Sequence, residues 1–226
     1  MKLSALPSAV TGEQIPSTPS SNRVVLILDL LERVLVLVVY AYFARTFIMS
    51  FIAHPSIFLV PLVFSETLPV IFILCRAPSA EVSRSPLDWI LGVAASVMPL
   101  LAIPASGGQH STFMMLTVVF CMLFGALLEL AAKIVLGRSF GMVAANRGVV
   151  TVGPYRFLRH PIYAGYTLVH VGFLLSAPSI HNAVLYVATL TVQIARIVRE
   201  ERILMRDEAY REMAARVRYR LVPGVF

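Results

Sequence analysis

Long apolar segments, separated by short polar stretches, dominate this chain of 226 residues. Six such segments lie at about 24–48, 55–75, 87–104, 112–136, 162–177 and 180–198. A helix needs roughly 20 apolar residues to cross a bilayer. Hydrophobic residues make up 58% of the chain and charged residues 14%, whereas about a quarter of a soluble domain is charged. The sequence therefore predicts an all-α, polytopic helical membrane protein.

The expected number of transmembrane helices is five or six. Asp29, Glu32 and Arg33 interrupt the first segment near its start, and the last two segments are short. Pro178 and Asn182 lie at the junction of these last two segments and favour a tight turn. The pattern therefore predicts a C-terminal helical hairpin.

The chain divides into three regions. Residues 1–23 are expected to form a flexible N-terminal tail, residues 24–136 the N-terminal transmembrane helices, and residues 137–226 the C-terminal region. Within the last region, residues 199–220 place apolar side chains at helical spacing opposite a face rich in arginine and glutamate. We expect an amphipathic cytoplasmic helix there, lying on the anionic inner leaflet.

Lysine and arginine are distributed unevenly along the chain. The expected outer loops at 49–54, 105–111 and 176–181 contain neither residue, whereas seven arginines follow residue 198. The positive-inside rule then places both termini and the loop 137–161 in the cytoplasm. We attribute the net charge of +7 to this asymmetry rather than to nucleic-acid binding, and expect a multi-pass protein of a bacterial inner membrane.

Ionisable residues inside apolar segments mark ion pairs or functional positions. Glu129 and Lys133 are four residues apart, as are Asp29 and Arg33, so intrahelical ion pairs are expected. Glu66 is isolated in its segment, and its role stays open.

His170 lies in the middle of an apolar segment and is expected to be a core residue. The histidines and cysteines show no ligand spacing, so no metal site is predicted.

The segment at 153–165 reads GPYRFLRHPIYAG and concentrates positive charge where an apolar helix begins. Pro161 suits the first position of a helix. The free N–H groups of a helix N-terminus form an anion site, to which Arg156, Arg159 and His160 add charge. Anchoring at the membrane interface is the alternative explanation, but it does not account for two tyrosines and a histidine at one helix start.

A second charged motif, RIVREE, spans residues 196–201 at the end of the last apolar segment. Arg196 and Glu200 project from one helix face about a turn apart, and a simple salt bridge between them is the alternative interpretation. In a helical hairpin the fifth segment begins on the side where the sixth ends, so the two motifs are predicted to face each other. Their guanidinium, imidazole, phenol and carboxylate groups together suit a zwitterionic ligand.

These motifs resemble those of the isoprenylcysteine carboxyl methyltransferases and the related membrane phospholipid methyltransferases. GPYRFLRHPIYAG fits the pattern G-x-Y-x-x-x-R-H-P-x-Y-x-G, and RIVREERIL fits R-x-x-x-E-E-x-x-L. Tyr210 and the terminal LVPG also fit, and the resemblance covers about residues 136–226. Met213 departs from the pattern, because it stands where the family commonly has a second tyrosine.

The resemblance implies S-adenosyl-L-methionine as methyl donor, bound in a helical pocket that the C-terminal region closes. Glu200 would hold polar groups of the donor, and Arg196 would bind the methyl acceptor, so these two are the expected catalytic residues. The other expected donor-binding residues are Ala145, Arg147, Gly148, Val149, Val150, Tyr155, His160, Pro161, Ile162 and Tyr163.

Several methyl acceptors are compatible with these motifs. A carboxylate with a pKa of about 3.5 is ionised at neutral pH and needs no general base, and Arg196 can bind it through two parallel hydrogen bonds. Carboxyl O-methylation of a lipophilic, isoprenylcysteine-like or prenylated acceptor is therefore our first expectation. N-methylation of a phosphatidylethanolamine-type lipid and S-methylation of a thiol are the enzymatic alternatives. A lipid-binding membrane protein is the alternative without catalysis, and membrane lipids but no nucleic acid are expected as partners.

Overall fold

The computed structural model describes residues 19–53, 60–75, 81–103, 111–143 and 145–226. This part of the chain is helical apart from turns and one pair of two-residue strands. The elements are α1 (Pro19–Ala53), α2 (Val60–Cys75), β1 (Glu81–Val82), α3 (Pro86–Val97), α4 (Thr112–Leu136), β2 (Ala145–Asn146), α5 (Pro161–Ser176), α6 (Ile180–Leu204) and α7 (Glu208–Arg216). Strands β1 and β2 pair antiparallel, with Val82 opposite Ala145.

The helices fall on the predicted apolar segments, which confirms the all-α class. Two helical stretches, Thr112–Ser139 and Ile180–Leu204, are long and apolar enough to cross a membrane. Pro86–Leu101 and Pro161–Ser176 are shorter apolar helices. The count of five or six spans stays a prediction.

Helix α1 begins at Pro19, so residues 19–23 of the predicted tail are helical, whereas residues 1–18 lie outside the described residues. Its buried face contains charged residues, since Asp29 and Glu32 are 3% and 0% exposed. Its exposed face is apolar and includes Leu26, Ile27, Leu30, Leu31, Val34 and Val38. Charged residues inside and apolar residues outside are what a lipid surrounding favours.

Helix α5 packs closely on α4 through glycine. A Cβ at Gly165 would lie 2.7 Å from the carbonyl oxygen of Gly125, and a Cβ at Gly125 would lie 2.8 Å from that of Gly165. Small residues allow membrane helices to approach in this way. The last glycine of the RHPxYxG motif is therefore the point at which α4 fixes the first turns of α5.

Polar contacts fix both ends of α6. Near its start, Asn182 is 1% exposed and hydrogen bonds to backbone groups of Ile103 and Ala177 at distances of 2.8 to 3.0 Å. Near its other end, Arg199 forms an ion pair with Asp88 in the first turn of α3. The predicted hairpin turn is present at residues 177–179, and α6 continues past the predicted end at residue 198.

The predicted single helix over residues 199–220 is wrong. Helix α6 ends at Leu204, a turn follows, and the side chain of Asp207 caps α7 by accepting a hydrogen bond from the N–H of Ala209 at 2.9 Å. The apolar residues of this segment are buried against Val149, Leu204 and Met205 of the protein itself; they are Tyr210, Met213, Ala214 and Val217. Because the apolar face of α7 packs on the protein, it is not available to lie on the inner leaflet.

Candidate active site

An open-mouthed cavity of about 830 Å³ lies between α5, α6, α7 and the segment 139–150. Eleven of the twelve predicted site residues line it, namely Ala145, Arg147, Gly148, Val149, Val150, Tyr155, His160, Ile162, Tyr163, Arg196 and Glu200. The lining also includes Arg159, which was expected to add charge at this helix start, and residues outside the predicted set such as Tyr40, Tyr166, Leu204, Tyr210 and Met213. The two charged motifs therefore share one cavity, as their placement in a hairpin predicted. We call it the first cavity.

Pro161 is the predicted site residue that stands apart from this lining. It occupies the first position of α5 and is buried, and His160 is the N-cap residue. A proline is well tolerated there because the first N–H groups of a helix have no partner within the helix. Its position indicates that Pro161 sets where α5 begins, which orients Ile162 and Tyr163 toward the cavity.

Glu201 organises the wall of the cavity formed by α6, α7 and the C-terminal segment. Its Oε1 atom lies 3.2 Å from Arg159 Nη1, 3.3 Å from His160 Nε2 and 3.2 Å from the Tyr210 hydroxyl, which donates to it. Its Oε2 atom accepts a hydrogen bond from Arg220 Nε at 2.7 Å. We call this group the Glu201 centre. Of the two glutamates in the RxxxEE motif, Glu200 was predicted as a site residue and Glu201 was not.

The RHP motif is also held by the C-terminal segment. Arg159 and His160 donate backbone N–H groups to the carbonyls of Tyr219 and Arg220, at 3.0 and 2.9 Å. The Arg159 guanidinium donates further to the carbonyl of Val217 at 2.7 Å. Arg159 was expected to add charge to an anion site, but these contacts commit its guanidinium to the protein.

Tyr163, Arg196 and Glu200 form a cluster deeper in the cavity. The Tyr163 hydroxyl donates a hydrogen bond to Glu200 Oε2 at 3.0 Å, and the Arg196 guanidinium lies over the Tyr163 ring at 5.1 Å from its centroid. Among the described residues, Arg196 and Glu200 form no ion pair, so the salt bridge considered as an alternative is absent there. Arg196 Nε is buried and has no hydrogen-bond partner within the described chain. This guanidinium therefore retains a donor for a ligand.

A second buried carboxylate, that of Glu32 in α1, holds the opposite wall. Glu32 Oε1 accepts hydrogen bonds from the backbone N–H groups of Met142 and Val143 at 2.8 and 3.0 Å. Its other oxygen forms an ion pair with Arg147, which also donates to the Val143 carbonyl at 3.2 Å. We call this group the Glu32 centre. It ties the first helix to the segment from which Ala145 to Val150 enter the cavity.

This role of Glu32 was not predicted from the sequence. The signal that points to it is that Arg33 is already paired with Asp29, so a basic partner for Glu32 has to come from elsewhere in the chain. Arg147 lies in a loop predicted to line the site. The separation of 115 residues along the chain gave no reason to pair Glu32 with Arg147.

Two tyrosines of the cavity remain neutral over the physiological range. Burial, with the charge of Glu200 as a smaller cause, raises the pKa of Tyr155 far above its usual value. Burial and the nearby charge of Glu201 do the same to the pKa of Tyr210. Both phenols therefore act as neutral hydrogen-bond donors.

A second cavity, of about 670 Å³, adjoins the first on the side of α1, α3 and α4. Tyr40, Tyr163, Tyr166 and Arg196 line both cavities, which therefore adjoin each other at these residues. His170 lines the second cavity and stacks on Tyr186 at 4.7 Å between ring centroids. It was expected to be a core residue, and the structure places it at a cavity wall.

The predicted intrahelical ion pairs are confirmed. Asp29 and Arg33 are 2.7 Å apart, and Glu129 and Lys133 are 2.5 Å apart. Glu66 belongs to α2, but its side chain lies outside the described part of the structure.

The fold and these cavities define a helical membrane protein with a ligand site built between its helices. Residues 111–212 match the model of the family described as phospholipid methyltransferase, so this region is similar to that family of membrane methyltransferases. The resemblance inferred from the two motifs is thereby confirmed. The match begins at α4, before the region assigned from the motifs, and ends within α7. No curated protein matches the chain in a sequence comparison.

Proposed function

We propose that this protein transfers a methyl group from S-adenosyl-L-methionine to a lipophilic acceptor, with the donor in the first cavity. The observation that carries the proposal is that two adjacent cavities share Arg196 as a lining residue. A methyltransferase needs two adjacent sites, because it must position a donor and an acceptor in contact and exclude water between them.

The residues of the first cavity fit the chemical groups of the donor. S-adenosylmethionine carries a cationic sulfur, an ammonium group and a planar base. The carboxylate of Glu200 suits the ammonium group, and the rings of Tyr155 and Tyr163 suit the cationic sulfur and the base. What the donor supplies when bound is an electrophilic methyl group.

Arg196 is positioned to hold an anionic acceptor. Its guanidinium is buried, is oriented by the Tyr163 ring, and has an Nε atom without a partner among the described residues. A carboxylate can take two parallel hydrogen bonds from such a group, and it is already ionised, so no general base has to remove a proton. We therefore place carboxyl O-methylation of an isoprenylcysteine-like acceptor first.

N-methylation of a phosphatidylethanolamine-type lipid is the second candidate, and the description of the matching family favours it. Arg196 would then hold the phosphate of the lipid. An amine must lose a proton before it attacks a methyl group, and the cation of Arg196, which lines both cavities, disfavours a nearby ammonium group. S-methylation of a lipophilic thiol has no comparable observation in its favour.

We further propose a multi-pass integral membrane protein with both termini in the cytoplasm, in a bacterial inner membrane. Arg156, Arg199, Arg202 and Arg206 all lie at the same end of the helices as the first cavity. The positive-inside rule assigns that end to the cytoplasm, where the donor is soluble.

The test begins with donor binding to purified protein in detergent. Isothermal titration calorimetry should show binding of S-adenosylmethionine by the wild type and at least about tenfold weaker binding by Glu200→Gln. Arg196→Lys, which keeps the charge but loses the bidentate geometry, should bind the donor normally and lose most turnover. Folded wild type that binds no donor would refute the proposal.

The acceptor is identified with membranes and methyl-labelled donor. A label that mild base releases as methanol indicates a methyl ester and supports carboxyl methylation. A base-stable label in the phospholipid fraction indicates amine methylation, and would replace the first candidate by the second.

A further inference from the structure

Gln193 is a buried polar residue of the second cavity that the functions proposed above do not use. It lies on α6 three residues before Arg196 and is 1% exposed. Its Oε1 atom is buried and, like Arg196 Nε, has no hydrogen-bond partner within the described chain. A buried polar atom without a hydrogen-bond partner destabilises the fold. Two such atoms at one cavity therefore indicate a ligand that hydrogen bonds to both.

The two unpartnered atoms have opposite hydrogen-bonding character. Arg196 Nε donates, and the Gln193 amide oxygen accepts. Residues three apart on a helix are neighbours on the same face, and both residues line the second cavity. The matching ligand therefore has an anionic acceptor group for Arg196 with an N–H donor close beside it for Gln193.

The rest of the second cavity suits an apolar body attached to that polar end. Its lining is mainly aromatic and aliphatic, and includes Phe43, Phe47, Pro99 and Val169. Its acidic residue, Glu129, is paired with Lys133 at 2.5 Å, and the Lys133 ammonium lies over the ring of Tyr40 at 5.0 Å. The pair leaves this wall without a net negative charge that would attract a cation.

Two kinds of amphiphile combine an anion with a neighbouring N–H group. An N-acylated S-alkylcysteine has an uncharged amide N–H on the carbon next to its carboxylate. An aminophospholipid has an ammonium group separated from its phosphate by a short ethylene spacer. The cation of Arg196 disfavours a second cation beside it, and Lys133 compensates the charge of Glu129, so an uncharged amide N–H fits this cavity better.

We propose that the second cavity binds the acceptor and that Gln193 selects acceptors with an amide N–H beside the carboxylate held by Arg196. This role of Gln193 rests on the proposed methyl transfer, although the selection of ligands by the cavity can be measured without turnover. Gln193 is thus a specificity-determining residue, whose loss changes the choice between acceptors rather than the reaction itself.

The test compares two soluble acceptors that differ in the amide alone, N-acetyl-S-farnesylcysteine and 3-(farnesylthio)propionate. Wild type should bind the cysteine derivative about tenfold more tightly and methylate it with about tenfold higher kcat/KM, the effect of one hydrogen bond to an otherwise unpaired group. Gln193→Met keeps the length of the side chain. It should bring the ratios of affinity and of kcat/KM between the two acceptors close to one, by weakening the binding and methylation of the cysteine derivative alone.

Thr189→Val is the matched control. Thr189 is a buried polar residue of the same helix, one turn before Gln193, but its hydroxyl is satisfied by the Leu185 carbonyl at 2.8 Å and it is not part of the cavity lining. Its replacement should leave the ratio between the two acceptors as in wild type. Binding of S-adenosylmethionine by each variant shows that it is folded, and Gln193→Leu replaces Gln193→Met if the latter binds no donor.

The outcomes separate this inference from the proposed function. Equal binding and turnover of the two acceptors by wild type, or equal losses for both in Gln193→Met, would overturn the role of Gln193 and leave methyl transfer intact. Selective binding that Gln193→Met abolishes, without any methylation, would support the role of Gln193 and refute the proposed function. Vesicles of phosphatidylethanolamine are the third acceptor tested. Methylation of this lipid in preference to the cysteine derivative would also overturn the inference.

Discussion

Two buried carboxylates fix opposite walls of the first cavity, and their surroundings differ. Glu32 is 0% exposed and binds two backbone N–H groups and Arg147, whose side chain is 7% exposed. Glu201 is 5% exposed and binds four side chains, of which Arg220 is 35% exposed. If the Glu201 carboxylate is removed, water can therefore hydrate Arg220 in its place. The partners of Glu32 are too buried to be hydrated in this way. The comparison indicates that Glu32 serves mainly stability and Glu201 mainly the shape of the ligand site.

The largest expected effect is that of Glu32→Ala. Its loss leaves the Arg147 cation and two backbone donors buried without their acceptor, which should cost about 3–5 kcal/mol of stability. Thermal unfolding in detergent, followed by circular dichroism, measures this loss. Glu32→Gln keeps an acceptor for the backbone groups and should cost clearly less, so equal melting temperatures for the two variants would contradict the explanation.

Glu201→Ala should destabilise the protein less, by about 1–3 kcal/mol, because Arg220, the partner that is 35% exposed, can be rehydrated. Its effect on ligand binding should be larger, with about tenfold weaker affinity for S-adenosylmethionine, because α7 and the RHP motif lose their shared partner. Calorimetry measures the affinity, and Glu212→Ala, at an exposed position of α7, is the control. A Glu201→Ala protein with wild-type donor affinity would show that the Glu201 centre does not shape the site.

Gly141→Ala tests the Glu32 centre without removing a charge. A Cβ at Gly141 would lie 2.7 Å from Glu32 Oε1 and would overlap the Arg147 guanidinium. Crowding of this kind in a packed interior typically costs about 1–3 kcal/mol. In the background of Arg147→Ala the overlap with the guanidinium is absent, so the cost of Gly141→Ala should fall. An unchanged cost in that background would assign the loss to another contact.

The smallest expected effect concerns Tyr210 at the Glu201 centre. Because burial raises the pKa of Tyr210 in the folded state above its usual value near 10, its ionisation opposes folding only above about pH 10. Ionisation of Tyr210 should therefore leave the stability unchanged from pH 7 to 9 and lower it at higher pH. Tyr210→Phe should lose about 1 kcal/mol at neutral pH, the value of one hydrogen bond, and should fall less steeply above pH 10. Parallel alkaline melting curves for both proteins would contradict this assignment.

The two centres also show how far sequence reasoning reached. The apolar segments predicted the helices. The RHPxYxG and RxxxEE motifs predicted a common cavity, because a short turn between two helices returns the chain to the side from which it came. The residues around Glu201 belong to those motifs or follow them closely. Glu32 lies in a helix before the matching region of 111–212, and no periodicity relates it to Arg147.

The errors arose where an amphipathic pattern had more than one possible partner. Residues 199–220 present an apolar face in sequence, which is equally suited to lipid and to protein. The turn at 205–207 folds α7 back so that Tyr210 and Met213 cover the cavity. A hydrophobic pattern specifies that a face is buried, but the arrangement of neighbouring elements decides against what.

The sequence by itself determined the helical class, the membrane character and the two motifs that share the first cavity, because each depends on local periodicity and short connections. Only the tertiary structure decided which carboxylates hold the cavity walls, where the second cavity meets the first, and which polar atoms, such as Gln193 Oε1, lack a partner. Those properties depend on side chains far apart in the chain, and only the packing of the helices brings them within a few ångströms of each other.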